Sequence, residues 1–227
     1  MPPQPLLKVC SNATVELSLQ RVIERPQVAA WIAECIACWS IVEYETSRLF
    51  TLLLDVNVEA GMELYNQFGG ASLKESGIKA LARSKLHRKD FEIIEALLKA
   101  INSHEKTRNK IAHWYWGISD QVPDGLVLID PKELLILSAR IRDKAINRKK
   151  GERTKYDFGI PLDNMYAYRI KDLRLDAAAF SDLAILIKKC HGLCYLRSGP
   201  ALFRLRRALS QDDRLMSLLS RSTSAGR

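Results

Sequence analysis

The stretch Asp90–Trp116, DFEIIEALLKAINSHEKTRNKIAHWYW, decides how the rest of the chain is read. Its first half is an amphipathic helix. Asp90 is placed to act as N-cap, and Phe91, Ile94, Leu97, Leu98 and Ile101 recur at three- and four-residue spacing. At about 100° per residue the apolar stripe continues through His104, Glu105, Arg108 and Ala112. Glu92, Glu95, Lys99, Ser103, Lys106 and Lys110 take the opposite, solvated face. Arg108 therefore falls on the face expected to be buried. A guanidinium in an apolar interior needs a partner, so Arg108 either pairs with a carboxylate such as Glu105 or faces a cleft or a second subunit.

His113 follows five residues later, about 140° around the helix from Arg108. Asn109 and His113 are four residues apart and share a face. A cation, an amide and an imidazole within two turns suit phosphate chemistry on a substrate that carries its own nucleophile. Arg108 would stabilise charge on the phosphorus oxygens, and His113 would accept or donate a proton. Asn109 would orient His113 or bind a phosphate oxygen.

The string Arg108-Asn109-Lys110-Ile111-Ala112-His113-Trp114, closing a long amphipathic helix, resembles the HEPN superfamily, the higher eukaryotes and prokaryotes nucleotide-binding domains. In those domains a late helix of an α-helical bundle ends in Arg, a polar residue that is often Asn, three further residues and His. The resemblance covers residues 28–195 in helix order and 104–116 at motif level. It implies a metal-independent endoribonuclease, often a toxin or defence protein, whose Arg and His meet across a homodimer interface. It implies Arg108, His113 and Asn109 as catalytic residues, Glu105 and His104 as their support, and no cofactor. Other members have the fold without known catalysis, so a non-catalytic nucleic-acid-binding or interaction module stands as the alternative. In that module Arg108 and Glu105 pair and His113 closes the helix end.

Composition agrees with an anionic partner. The chain of 227 residues carries a formal net charge of +9, and the pI is about 9.4; nucleic acid is the commonest partner of such a balance. The five cysteines are an odd number, as in a reducing compartment. Cys35-x2-Cys38 and Cys190-x3-Cys194 could supply a four-thiolate zinc site if their helices were neighbours. Their apolar helical setting favours small core residues instead. No apolar run is long enough to span a membrane, and the first ten residues lack a secretory signal, so a cytoplasmic location is expected.

The fold class expected is all-α, an antiparallel helical bundle with a small β-hairpin after the motif helix. Residues 1–26 form an N-terminal extension, 27–197 the HEPN-like helical domain, and 198–227 a basic C-terminal tail. Within the domain, helices are expected over 27–55, over 57–68 with Asn57 or Asp55 as cap, over 72–86 with a Ser72/Glu75 capping box, and over 172–195. The hairpin covers 114–130, around the turn Val122-Pro123-Asp124-Gly125, and 165–170 reads as a short strand. Trp114 and Trp116 either seal the helix end or stack on an unpaired base. Residues 139–155 form a basic loop suited to tracking phosphates. The candidate RNA contacts are Lys110, Trp116, Arg140, Arg142, Arg148, Lys149 and Lys150.

Overall fold

The structure is a computed structural model and describes residues 3–17, 22–146, 162–196 and 198–224. The fold is mostly helical with one small antiparallel sheet. The elements in order are β1 (Gln4–Pro5), α1 (Leu6–Val9), β2 (Glu16–Leu17), α2 (Pro26–Leu54), α3 (Val58–Gln67), α4 (Ala71–Lys85), α5 (Arg88–His113), β3 (Tyr115–Ile118) and β4 (Gly125–Ile129). Then follow α6 (Pro131–Ile146), a 3-10 turn at Leu162–Asn164, β5 (Met165–Arg169), α7 (Ile170–Cys190), α8 (Gly192–Tyr195), α9 (Pro200–Ser210) and α10 (Asp213–Ser224). No helix among the described residues is long and apolar enough to cross a membrane.

The chain divides into two compact units. Unit 1 is 1–36 with 107–177, and unit 2 is 37–106 with 178–227. The boundaries fall inside α2, α5 and α7 rather than at the extension, domain and tail limits drawn from composition. Segments read as an appended extension and tail contribute elements, β1, α1 and β2 to unit 1 and α9 and α10 to unit 2.

Unit 1 holds the sheet, in the order β1-β5-β4-β3-β2. The expected hairpin is β3–β4, with Trp116 opposite Leu128. β5 pairs with β4 on the other side, setting Tyr166 opposite Leu128 and Tyr168 opposite Leu126. β4 is buried along its whole length, as its central place and its Leu-Val-Leu-Ile run require. Val127 and Ile129 face a core with Leu6, Val122, Met165 and Ala167, and the alternate residues Leu126 and Leu128 are buried on the other face. Gly125 is required where β4 enters the sheet: a Cβ there would lie 2.3 Å from the Tyr168 carbonyl oxygen. Arg25, at the end of the N-terminal stretch, donates to the carbonyls of Ser119, Val122 and Gly125 and so ties the β3–β4 turn.

α6 corrects the reading of 139–155 as a loop. Asp130 accepts from the Lys132 amide at 2.9 Å and Pro131 takes the first helical position, so the helix starts there and runs to Ile146. The remainder of the basic run, with Arg148, Lys149 and Lys150, lies outside the described residues.

Unit 2 is helical. Trp39 of α2 and His104 of α5 both set an edge against Phe180 of α7, at 5.3 and 5.8 Å between centroids. Phe50 meets Tyr65 and Phe68 at 5.5 and 5.6 Å, which fixes α3 against α2. Asn57 caps α3 by accepting from the Ala60 amide at 2.8 Å. Two expected caps are not formed. α4 begins at Ala71 with no side-chain cap, and Glu75 accepts from Asn102 of α5 at 2.7 Å. α5 begins at Arg88, so Asp90 lies in its first turn, buried, and receives both arms of Arg206 from α9 at 2.9 and 2.5 Å. The basic tail is thus docked within its unit. Leu202, Leu209 and Leu215 are buried, and Lys189 reaches Asp212 at 2.7 Å. Glu45 is buried. His191 sits on it, Nε2 at 2.9 Å from the Glu45 carbonyl oxygen and Nδ1 at 3.6 Å from its carboxylate.

Candidate active site

The predicted motif occupies the last turns of α5. Arg108 is half-buried there, and the Arg108 Nη1 donates to Asn109 Oδ1 at 3.0 Å. Asn109 therefore orients the guanidinium, and its carbonyl oxygen is engaged with Arg108 rather than with His113. His113 is the final residue of the helix and is exposed. Proton exchange with a ligand in solvent is open to it.

The buried face of α5 does not follow the projected stripe to its end. Ile94, Leu97 and Leu98 are buried as expected, but downstream the buried residue is Ile111, while Ala112 is exposed. Ile111 lies one heptad beyond His104 and two beyond Leu97, and seven residues nearly complete two turns. The larger apolar side chain takes the inner position and Arg108 is left on its flank.

Lys110, assigned to the solvated face, is half-buried. Its ammonium lies 5.1 Å from the Trp114 ring centroid and 5.3 Å from that of Tyr166, and the two rings are 5.8 Å apart. Trp116, Leu128 and Tyr166 form a row across β3, β4 and β5. The last turn of α5 thus carries a cation on an aromatic face of the sheet. Trp116 is half-buried with its ring 6.4 Å from that of the fully buried Tyr168, a sealing contact. Tyr166 belongs to this group and was missed. Its signal was the alternation Met-Tyr-Ala-Tyr-Arg, which puts Tyr166 and Tyr168 on one face. Arg140 and Arg142 are exposed on α6.

The two residues predicted to support the motif lie in unit 2. Burial against Phe180 holds the His104 imidazole below its usual range, so this ring stays neutral and packs. Glu105 lines a cleft in that unit. Cys35, Cys38 and Cys190 are buried core residues, and Cys194 is half-buried. Cys35 donates to the Leu173 carbonyl at 3.3 Å, and burial pushes the Cys190 and Cys194 thiols up to about 12. Among the described residues no group of three or more His, Cys, Asp or Glu is arranged to hold a metal ion.

Comparison with protein-family models, with curated proteins and with solved structures finds no match for this chain.

Proposed function

We propose that the chain is a HEPN-like endoribonuclease that cuts single-stranded RNA by attack of the 2′-hydroxyl on the adjacent phosphate. The observation that carries the reading is the end of α5: a guanidinium oriented by Asn109, followed after one turn by an exposed imidazole. In the reaction the 2′-oxygen–phosphorus bond forms and the phosphorus–5′-oxygen bond breaks. The proton lost by the 2′-hydroxyl returns to the leaving 5′-oxygen through His113. Arg108 holds the phosphorane oxygens as charge develops on them. The products are a 2′,3′-cyclic phosphate and a 5′-hydroxyl. The chemistry needs a 2′-hydroxyl and none of it is routed through a metal, so DNA is not cut.

One helix presents one Arg and one His, about 140° apart. A symmetric homodimer that brings two such helix ends together makes a composite site. On the same reading the helices are arranged as the antiparallel bundle of that superfamily. The protein acts in the cytoplasm as a toxin or defence factor, and a cognate antitoxin or regulatory chain restrains it. Lys110 and the Trp114–Tyr166 pair, with Arg140 and Arg142, supply the contacts to RNA.

The same aromatic and cationic face favours a second reading, a module that binds RNA without cutting it. Incubation with matched single-stranded RNA and DNA in EDTA separates the two. The proposal expects cleavage of RNA alone. Salt-dependent binding of both strands with neither cut would replace it with the binding module.

A further inference from the structure

Two buried titratable side chains of unit 2 meet where α2 passes the junction of α7 and α8. Glu45 is 6% exposed and His191 is 4% exposed. The two ring nitrogens face different groups. Nε2 lies 2.9 Å from the Glu45 backbone carbonyl oxygen, and Nδ1 lies 3.6 Å from Oε2 of the Glu45 carboxylate. A carbonyl oxygen only accepts, so the neutral ring carries its hydrogen on Nε2. Nδ1 is then a bare acceptor turned toward a carboxylate oxygen. That oxygen, Glu45 Oε2, is itself buried and accepts no hydrogen bond among the described residues.

Two acceptors facing each other in a buried site leave a place for one proton. On Nδ1 that proton makes the ring a donor to both the carbonyl and the carboxylate, and it satisfies Oε2. The cost of a buried charge opposes it. Burial holds the His191 imidazole below its usual range; Arg48 from α2 and Lys188 from α7 act in the same direction, and Glu45 acts against them. The other titratable neighbours stay neutral. Burial pushes up to about 12 both the thiol of Cys190, next to His191 in the chain, and that of Cys194, whose amide donates to the His191 carbonyl at 3.0 Å. The ring is therefore neutral at pH 7 and gains its charge in mild acid. While it is neutral, Oε2 has Arg48 for its cation, with Nη1 at 3.6 Å.

We propose that His191 and Glu45 form a proton-operated latch between α2 and the α7–α8 junction. With the ring neutral, the Glu45 carboxylate is drawn to Arg48. With the ring protonated, Nδ1 donates to Oε2, and the Arg48 guanidinium, already one third exposed and 5.8 Å from the Tyr44 ring centroid, is released to the surface of α2. One proton passes from solvent to Nδ1, and only hydrogen bonds change. An unfolded imidazole titrates near about 6.5 and the folded one lower, so the unfolded state binds more protons in between. Stability therefore falls as pH drops through that window, and the loss is complete below the folded value. The latch does not depend on the nuclease reading, because His113 is a different ring, at the exposed end of α5 in unit 1.

Nitrogen-15 NMR of the histidine rings in the full chain, followed from about pH 7.5 to about pH 4, tests the proposal. The His191 signals are identified by their loss in His191→Gln, or by Overhauser contacts with α2 should that variant not fold. The Nε2-protonated tautomer is expected at neutral pH. One proton should then enter at Nδ1 with a midpoint below about 6.5, and the Arg48 guanidinium resonance should move with the same midpoint. Glu45→Gln should weaken the proton affinity of the ring at least about tenfold, and Arg48→Met should strengthen it about threefold. A neutral ring with its hydrogen on Nδ1, or a ring that takes up no proton over the whole range, overturns the proposal. So does an Arg48 resonance that stays still through the midpoint, or a parent-like midpoint in both folded variants.

Discussion

The two halves of α5 are made differently. Between Ile94 and Ala100 five residues are buried, and the one carboxylate inside, Asp90 in the first turn, is fully engaged by Arg206. Between Arg108 and His113 one residue, Ile111, is buried, and the rest are half-buried or exposed polar and small side chains. The first half is explained by packing. The second is not, since an ordinary helix end needs neither an arginine braced by its own neighbour nor a lysine on two aromatic rings. That surplus of oriented polar groups is why the end of α5, rather than its middle, carries the proposed chemistry.

The contrast can be broken by exchanging its two kinds of loss. Arg108→Ala and His113→Ala should each lower RNA cleavage by about 10²- to 10⁴-fold, while the thermal transition stays within about 0.5 kcal/mol of the parent. Leu97→Ala should do the reverse. A cavity in the fully buried half costs about 2–5 kcal/mol, read by urea unfolding, and any remaining folded protein should cleave at the parent rate. A variant of the first kind that unfolds, or of the second that folds normally without activity, would erase the distinction.

A mixing experiment sharpens the dimer claim. Inactive Arg108→Ala and His113→Ala chains, once subunits exchange, should regain about a quarter of parent activity, because half of the dimers then hold one intact composite site. No recovery would place the whole site within one protomer.

Smaller effects follow from two aspartates. In unit 1, Asp176 has a buried carboxylate oxygen with no hydrogen-bond partner, and burial with Asp172 nearby pushes this carboxyl up to about 6. Its folded value exceeds the unfolded one near about 4, so the folded state binds the extra proton between pH 4 and 6. Stability falls as pH rises through that window and stays lower above it. Asp176→Asn should raise Tm by about 2–4 °C at pH 7, with the gain gone at pH 4. In unit 2 the sign is opposite. The hydrogen bond from Lys189, with that from Arg214, holds Asp212 down at about 2. The stability it contributes is present above pH 4 and drains as pH falls toward 2. Asp212→Asn should therefore lower Tm slightly at pH 7 and converge with the parent in acid.

The long helices were legible because their apolar periodicity is sustained. α2 and α5 each begin within three residues of their expected start. The hairpin was legible from a turn flanked by apolar runs. β1 and β2 were not, since two residues carry no period and their partners are distant in sequence. α6 was obscured by its own charge: the basic run drew the reading toward a loop, although Asp130-Pro131 is an N-cap and first helical residue. Asp90 and Glu75 were misread as caps because their real partners, Arg206 and Asn102, lie 116 and 27 residues away. The candidate residues Arg108, Asn109 and His113 come from one contiguous string. Tyr166 and the unit 2 cleft depend on contacts between elements that no local pattern records.

The most direct measurement takes the purified protein beside its His113→Ala and Arg108→Ala variants. All three are incubated in EDTA with a mixed-sequence single-stranded RNA, and the fragment ends are analysed. The account predicts 2′,3′-cyclic phosphate and 5′-hydroxyl ends from the parent alone. Cleavage that survives either substitution in a folded protein, or fragments with other ends, would contradict it.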